Sequence, residues 1–203
     1  DGCTVRVAET GNESENMHRN ARMLINGVAN AVNIAMTESS KKRRGEVVLS
    51  LDSTLADEQY SIKADSRSVI VKGGSAKAVF YGIQTIIKAL PANCQNIKKV
   101  TLPAVQISDS PRFAYRGFMI DESRHFFGVD YIKCVIDMLA LHNINYFHWH
   151  LTDDQGWRIE IKKYPKLTQV GSWRKESITE AGGNNFDGIP VSGFYTQDEA
   201  RQV

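Results

Sequence analysis

The sequence predicts an α+β domain over residues 1–108, followed over residues 109–203 by the opening units of a parallel β/α barrel. Three observations predict it. The first half reads strand, helix, strand, hairpin, helix. The second half alternates strand, helix, strand, loop, helix. The composition shifts across Pro103–Pro111, where the boundary is placed. A chain of 203 residues suffices for one or two domains of ordinary size.

Thr4–Glu9 alternates as a half-buried strand, with Val5 and Val7 on one face. Met17, Ala21, Leu24, Ile25, Val28, Val32 and Met36 recur at helical steps and make one apolar stripe, with Ser14 or Asn12 as cap. Gly27 within that helix costs about 1 kcal/mol against Ala, which points to close packing there. Lys41–Gly45 is a basic run. It reads as a solvated turn, because no other basic cluster in the sequence supports a binding patch. Glu46–Leu51 is a strand; Gln59–Ala64 and Ser68–Lys72 form a hairpin about Asp65-Ser66-Arg67. Ser75–Leu90 is a helix with Ser75 as cap, Pro91 as stop and Ala76, Val79, Phe80, Ile83, Ile86, Ile87 and Leu90 on its buried side. These elements make a sheet with helices on one face, and nothing in them is catalytic in type.

Phe118–Asp121 reads as a buried strand ending in a carboxylate. Val129–His142 is a helix of roughly 21 Å, with Tyr131, Ile132, Val135, Ile136, Leu139 and Ala140 on its apolar side. Asn145–Leu151 is the next strand. A long loop from Thr152 to Tyr195 leads to a helix at Thr196–Val203, opened by a Thr196/Glu199 capping box.

Parallel strands joined by helical crossovers place functional groups at their C-terminal ends. Arg124, His125, His150, Asp153, Asp154 and Trp157 crowd that rim. An arginine fork beside carboxylates can hold vicinal hydroxyls, and aromatic faces can hold sugar rings. Asp153 and Asp154 in tandem repel unless a cation or a shared proton compensates, which favours a functional role for one of them. Arg116 reads as a structural salt bridge. His148 alternates with Trp149, so one of the two packs into the wall. Asp121 serves equally well as a hydrogen-bond anchor or as a ligand contact.

A net charge of +2 gives no electrostatic case for nucleic acid or an anionic membrane. No apolar run approaches a bilayer span. Cys3, Cys94 and Cys134 are too few for a disulfide scaffold and too widely spaced for a zinc knuckle. Cys3 as a lipidation site fits poorly with Asp1-Gly2 before it. No signal peptide is visible.

Two motifs carry a resemblance: R-G-x-x-x-D-x-S-R-H-F at Arg116–Phe126 and F-H-W-H-L-x-D-D-Q-G-W-R at Phe147–Arg158. With residues 111–174 around them, they resemble the start of the catalytic (β/α)8 TIM barrel of family 20 glycoside hydrolases, the β-N-acetylhexosaminidases. The first half is similar to the α+β domain that precedes the barrel, most clearly at Ala78–Leu90. The resemblance implies removal of terminal β-linked N-acetylglucosamine or N-acetylgalactosamine from glycans or chito-oligosaccharides. It implies substrate-assisted retaining catalysis, in which the 2-acetamido oxygen attacks the anomeric carbon. By position in the motif, Arg124 matches the arginine that binds the sugar's C3 and C4 hydroxyls. Asp153 matches an aspartate that orients a histidine behind the acid glutamate. Asp154 is expected to hold Arg124 or the sugar, and His150 to contact substrate. No cofactor and no metal are implied, and the location is expected to be periplasmic or secreted.

The family's catalytic Asp-Glu pair, its supporting histidine and its acetamide-pocket tryptophans match nothing here; Asp198-Glu199 opens a helix instead. A complete barrel takes roughly 250 residues. The chain is therefore expected to be a truncation or fragment of a hexosaminidase, inactive alone, with its open barrel edges disordered unless another chain, such as a second copy, covers them. Two alternatives remain. One is a carbohydrate-binding or scaffold module without catalysis; the other is a metal-dependent barrel hydrolase using His148 and His150, whose i, i+2 spacing suits Zn²⁺.

Overall fold

A computed structural model describes residues 3–8, 10–91, 99–179 and 185–203. The chain divides into two compact units, Asp1–Ala114 and Tyr115–Val203.

The first unit orders β1 (Cys3–Val7), α1 (Ser14–Val32), β2 (Met36–Glu38), β3 (Glu46–Leu51), β4 (Tyr60–Ala64), β5 (Ser68–Gly73), α2 (Ala76–Lys88) and β6 (Val105–Asp109). They form one sheet in the order β2-β1-β3-β5-β4-β6. β1, β2, β3 and β5 run parallel, while β4 is antiparallel to both β5 and β6. The two-residue period of the strands sorts their side chains by face. Val5, Val47, Leu49, Ile62 and Val71 pack against Met17, Ala21, Leu24 and Val28 of α1 and against Val79, Ile83 and Ile86 of α2. Arg6, Val48, Ile70 and Lys63 lie in register across the opposite face.

The helix stripe needs a correction. Met36 is buried, but as the first residue of β2, because the chain leaves α1 through Asn33 in the left-handed region (φ 56°). Neither Ser14 nor Asn12 caps α1. Its N-cap is Glu13, whose carboxylate instead accepts from the Ala76 N–H at the start of α2 (3.2 Å). Ser75 caps α2 as expected, accepting from the Ala78 N–H. Gly27 is a true close approach: a Cβ there would lie 2.5 Å from Ile87 Cδ1. Asp65 closes the hairpin turn by accepting from the Arg67 and Ser68 N–H groups (2.8 and 3.0 Å). Cys94 lies outside the described residues.

The second unit orders β7 (Gly117–Asp121), α3 (Val129–Leu141), β8 (Tyr146–His150), β9 (Thr152–Asp153), β10 (Gly156–Trp157), α4 (Lys166–Gln169), β11 (Trp173–Arg174), β12 (Val191–Ser192) and α5 (Gln197–Gln202). β7 and β8 pair in parallel with Asp121 opposite His150. Two expectations change here. The stretch read as a long loop carries two small antiparallel pairs, β9–β10 and β11–β12, and a turn of helix. The strand read as buried exposes Phe118 (45%) and Met119 (50%), because β7 has only β8 beside it among the described residues. Of the expected apolar side of α3, only Ile132 is buried; Tyr131 is exposed and stacks on Phe127 at 4.5 Å. The capping box is present, with Thr196 accepting from the Glu199 N–H and the Glu199 carboxylate accepting from the Thr196 N–H.

Candidate active site

The parallel register sets the first pair. Asp121 ends β7 and His150 ends β8, so both carboxylate and imidazole emerge at one rim. The chain then turns back on both sides of that rim. After β7 it presents Arg124 three residues on. After β8 the β9–β10 hairpin presents Asp153. The four side chains close into a ring. Arg124 Nη1 lies 3.0 Å from Asp121 Oδ2 and 2.7 Å from Asp153 Oδ2. His150 Nε2 lies 3.1 Å from Asp153 Oδ2, and its Nδ1 lies 3.9 Å from Asp121 Oδ1. The Arg124 side chain remains 46% exposed, so its fork is held yet still open to a ligand.

Asp153 is held below the usual carboxylate range. The Asp154 backbone N–H, which donates to it at 2.8 Å, is the largest cause; the positive charge of Arg124 adds to it. Arg124 is thus the cation that the Asp153-Asp154 tandem demands. Of the two expectations for Asp154, a hold on Arg124 is not found: among the described residues that ion pair belongs to Asp153, and Asp154 supports it through its own N–H. Asp121 is an anchor, accepting from both the Arg124 side chain and the Arg124 N–H. Trp149, not His148, packs inward, with its edge against Tyr195 at 4.6 Å. His148 is exposed and stacks on His150 at 5.8 Å. Arg116 binds the Asn143 carbonyl through Nε at 2.7 Å. Trp157 is pinned by its indole N–H to the Ile159 carbonyl.

Beneath the ring lies a set of residues whose role sequence reasoning missed. Arg158 is fully buried. Its guanidinium donates to the carbonyls of Glu122 (3.2 Å), Ser123 (3.1 Å), Gly193 (3.1 Å) and Ser172. Arg174 donates to the carbonyls of Gln155 (3.0 Å), Ser123 (3.3 Å) and Arg124. Two arginines therefore tie the Arg124 loop to the Asp153 hairpin. Gly156 is required where they meet, since a Cβ there would lie 2.8 Å from Arg158 Cζ and from the Ser123 carbonyl oxygen. Burial lowers the Arg158 pKa and raises those of Glu122 and Tyr195. Glu122 accepts from the Phe127 N–H (2.9 Å), and Tyr195 accepts from the Gly128 N–H (3.1 Å). The signal in the sequence is the second motif's closing Arg158, which no rim role accounts for.

No group of three His, Cys, Asp or Glu side chains able to hold a metal ion occurs among the described residues, so the His148/His150 pair lacks a third ligand there.

The rim thus carries a half-exposed arginine fork set between two carboxylates at the ends of parallel strands. Residues 4–110 match glycosyl hydrolase family 20, domain 2, and residues 113–203 match the glycosyl hydrolase family 20 catalytic domain. The chain belongs to glycosyl hydrolase family 20, and its second unit is the first part of that family's TIM barrel. It is 49% identical over 153 residues to a beta-hexosaminidase of Porphyromonas gingivalis, covering 73% of this chain and 18% of that protein. It is 36% identical over 160 residues to a beta-hexosaminidase of Vibrio furnissii, covering 78% and 25%. Among solved structures, the Vibrio harveyi exo beta-N-acetylglucosaminidase in complex with N-acetylglucosamine superposes with a TM-score of 0.78 at 31% identity, over 99% of this chain and 30% of that one. A Streptomyces plicatus N-acetyl-beta-hexosaminidase gives 0.79 at 29% identity, over 97% and 38%. The chain thus spans a fifth to a quarter of these curated relatives' length. No helix among the described residues is long and apolar enough to cross a membrane.

Proposed function

We propose that the chain is the front part of a β-N-acetylhexosaminidase and supplies the groups that grip the terminal N-acetylhexosamine of a glycan or chito-oligosaccharide. One observation carries the reading: Arg124 is fixed from two sides by Asp121 and Asp153 while nearly half exposed. A fork so held can donate its remaining N–H groups to vicinal hydroxyls without first being ordered, which lowers the cost of binding. Asp153 stays ionised and locks both Arg124 and His150. The acid that protonates the leaving oxygen and the carboxylate that orients the substrate's own 2-acetamido group lie outside these residues, so the isolated chain binds sugar weakly and does not turn it over. Glycan substrates of this kind lie outside the cytoplasm, which supports a periplasmic or secreted location for the working protein.

Steady-state hydrolysis of a p-nitrophenyl N-acetyl-β-hexosaminide by the whole protein tests this. Arg124→Ala should lower kcat/KM on the order of a hundredfold, the loss of two charge-assisted hydrogen bonds. Arg124→Lys should recover only part of it, because a point charge cannot replace the fork. An Arg124→Ala enzyme with unchanged kcat/KM would sink the reading and favour a non-catalytic glycan-binding module.

A further inference from the structure

We infer that the helix-free face of the first unit's sheet binds an anionic glycan, one carrying sulfate or carboxylate groups. The basic run Lys42-Arg43-Arg44 stands alone in the sequence, and on that ground it reads as a solvated turn. The fold removes the ground. The Gly45 N–H donates to the Arg67 carbonyl at 2.6 Å, which ties the run to the β4–β5 turn. Lys63 stands on β4, in register with Ile70, Val48 and Arg6 across the sheet. A groove of about 1000 Å³ results, with Arg6, Lys42, Arg43, Arg44, Lys63 and Arg67 along it and only Glu46 and Asp65 as carboxylates.

Both carboxylates are already engaged. Glu46 takes Arg6 through two bonds of 2.9 and 3.0 Å, and Asp65 accepts the Arg67 and Ser68 N–H groups. Arg43, Arg44, Lys63 and Arg67 are exposed, and among the described residues their side chains make no salt bridge. Four exposed cations thus line one groove with Asp65 as the one carboxylate near Arg67 and Lys63, in a chain whose net charge is only +2. The floor is Val48 on β3 and Ile70 on β5, an apolar lane two strands wide between Arg6 on β1 and Lys63 on β4. A sugar ring offers C–H faces to such a lane and anionic substituents to its walls. A single-stranded nucleic acid would stack its bases on aromatic platforms, and none lines the groove. The choice of a glycan rests on the hexosaminidase reading; the charge complementarity does not.

Calorimetry of the protein with a heparin-derived oligosaccharide tests the site, with hyaluronan, neutral chito-oligosaccharide and single-stranded DNA as comparisons and β-hexosaminide hydrolysis measured in parallel. Heparin or hyaluronan should bind, the neutral sugar should not bind at this face, and affinity should fall steeply with salt. Arg43→Glu/Arg67→Glu should weaken binding by about tenfold or more while hydrolysis stays unchanged. Arg44→Glu/Lys63→Glu, at the neighbouring positions of the same two segments, should do the same, and unchanged circular dichroism and melting temperature in both variants guard against a local folding defect. Absence of anionic-glycan binding, binding unaltered in both variants, or tighter binding of DNA would overturn the inference. Loss of hydrolysis in Arg124→Ala leaves heparin binding untouched, so the two readings fail separately.

Discussion

The two units solve the same problem with different materials. Among the described residues, the first unit gathers eighteen buried apolar side chains into one core, whereas the second gathers three, Ile120, Ile132 and Tyr195. In place of a large apolar core, the second unit has fully buried Arg158 and Ser123, whose side chains donate to backbone carbonyls. Buried polar groups contribute to a defined geometry only when each is satisfied. In this unit they brace the two loops that carry Arg124 and Asp153. The lesson is local: the unit that holds the candidate site is the one whose structure depends on hydrogen bonds to backbone carbonyls.

The largest effect expected from breaking this contrast is at Arg158. Arg158→Met removes the donor from four carbonyls and should destabilise the second unit by about 3–5 kcal/mol. Hydrogen exchange should quicken at residues 122–125 and 152–158 and leave β3 and β5 unchanged. Uniform loosening of both units would mean that the division of labour is wrong.

A second pair sharpens the comparison. Glu46 and Glu122 are both buried carboxyl groups near an arginine, yet they shift oppositely. Arg6 gives Glu46 two direct bonds and lowers its pKa; burial raises that of Glu122 and outweighs the Phe127 N–H, the Tyr195 hydroxyl and the charge of Arg158, which act to lower it. A lowered carboxyl pKa contributes stability above the unfolded value of about 4.3, lost as pH falls through the folded value. A raised one contributes stability below that value, lost as pH rises through the folded value. Glu46→Gln should therefore cost the first unit about 2 kcal/mol at neutral pH and little near pH 3. Glu122→Gln should be neutral or stabilising at neutral pH. Urea titrations at pH 3 and pH 7 separate the two, and the same sign for both variants at pH 7 would refute the assignment.

The smallest expected effect is at α5. Thr196→Ala removes the capping box and should cost about 1 kcal/mol. It should be visible as fraying of residues 197–202 by hydrogen exchange, with the Arg124 ring undisturbed.

Much of this is legible where local chemistry decides the structure. β3 is a short run rich in strand formers, Asp65 announces its turn, and Thr196 with Glu199 spells a capping box. The edge strands β2 and β6 are not legible. Met36–Glu38 is three residues long and continues a helical stripe, while Val105–Asp109 follows a proline in what reads as a boundary. Both become strands only because a sheet edge from another part of the chain lies beside them. In the site, the residue types at the rim are readable, and so is the need for a cation beside Asp153. Which aspartate takes Arg124 is not, since the hairpin's turn decides which of two neighbours faces the fork. The buried arginines escape for the same reason: a sequence shows that Arg158 is present but not that four carbonyls converge on it.

The most direct test of the central claim, that Arg124 in its carboxylate frame is the sugar-gripping group, is the affinity of the whole protein for N-acetylglucosamine measured by calorimetry. The account predicts measurable binding by the unaltered protein, a loss on the order of a hundredfold in Arg124→Ala, and partial recovery in Arg124→Lys. Equal affinity in all three proteins, each shown to be folded, would contradict it.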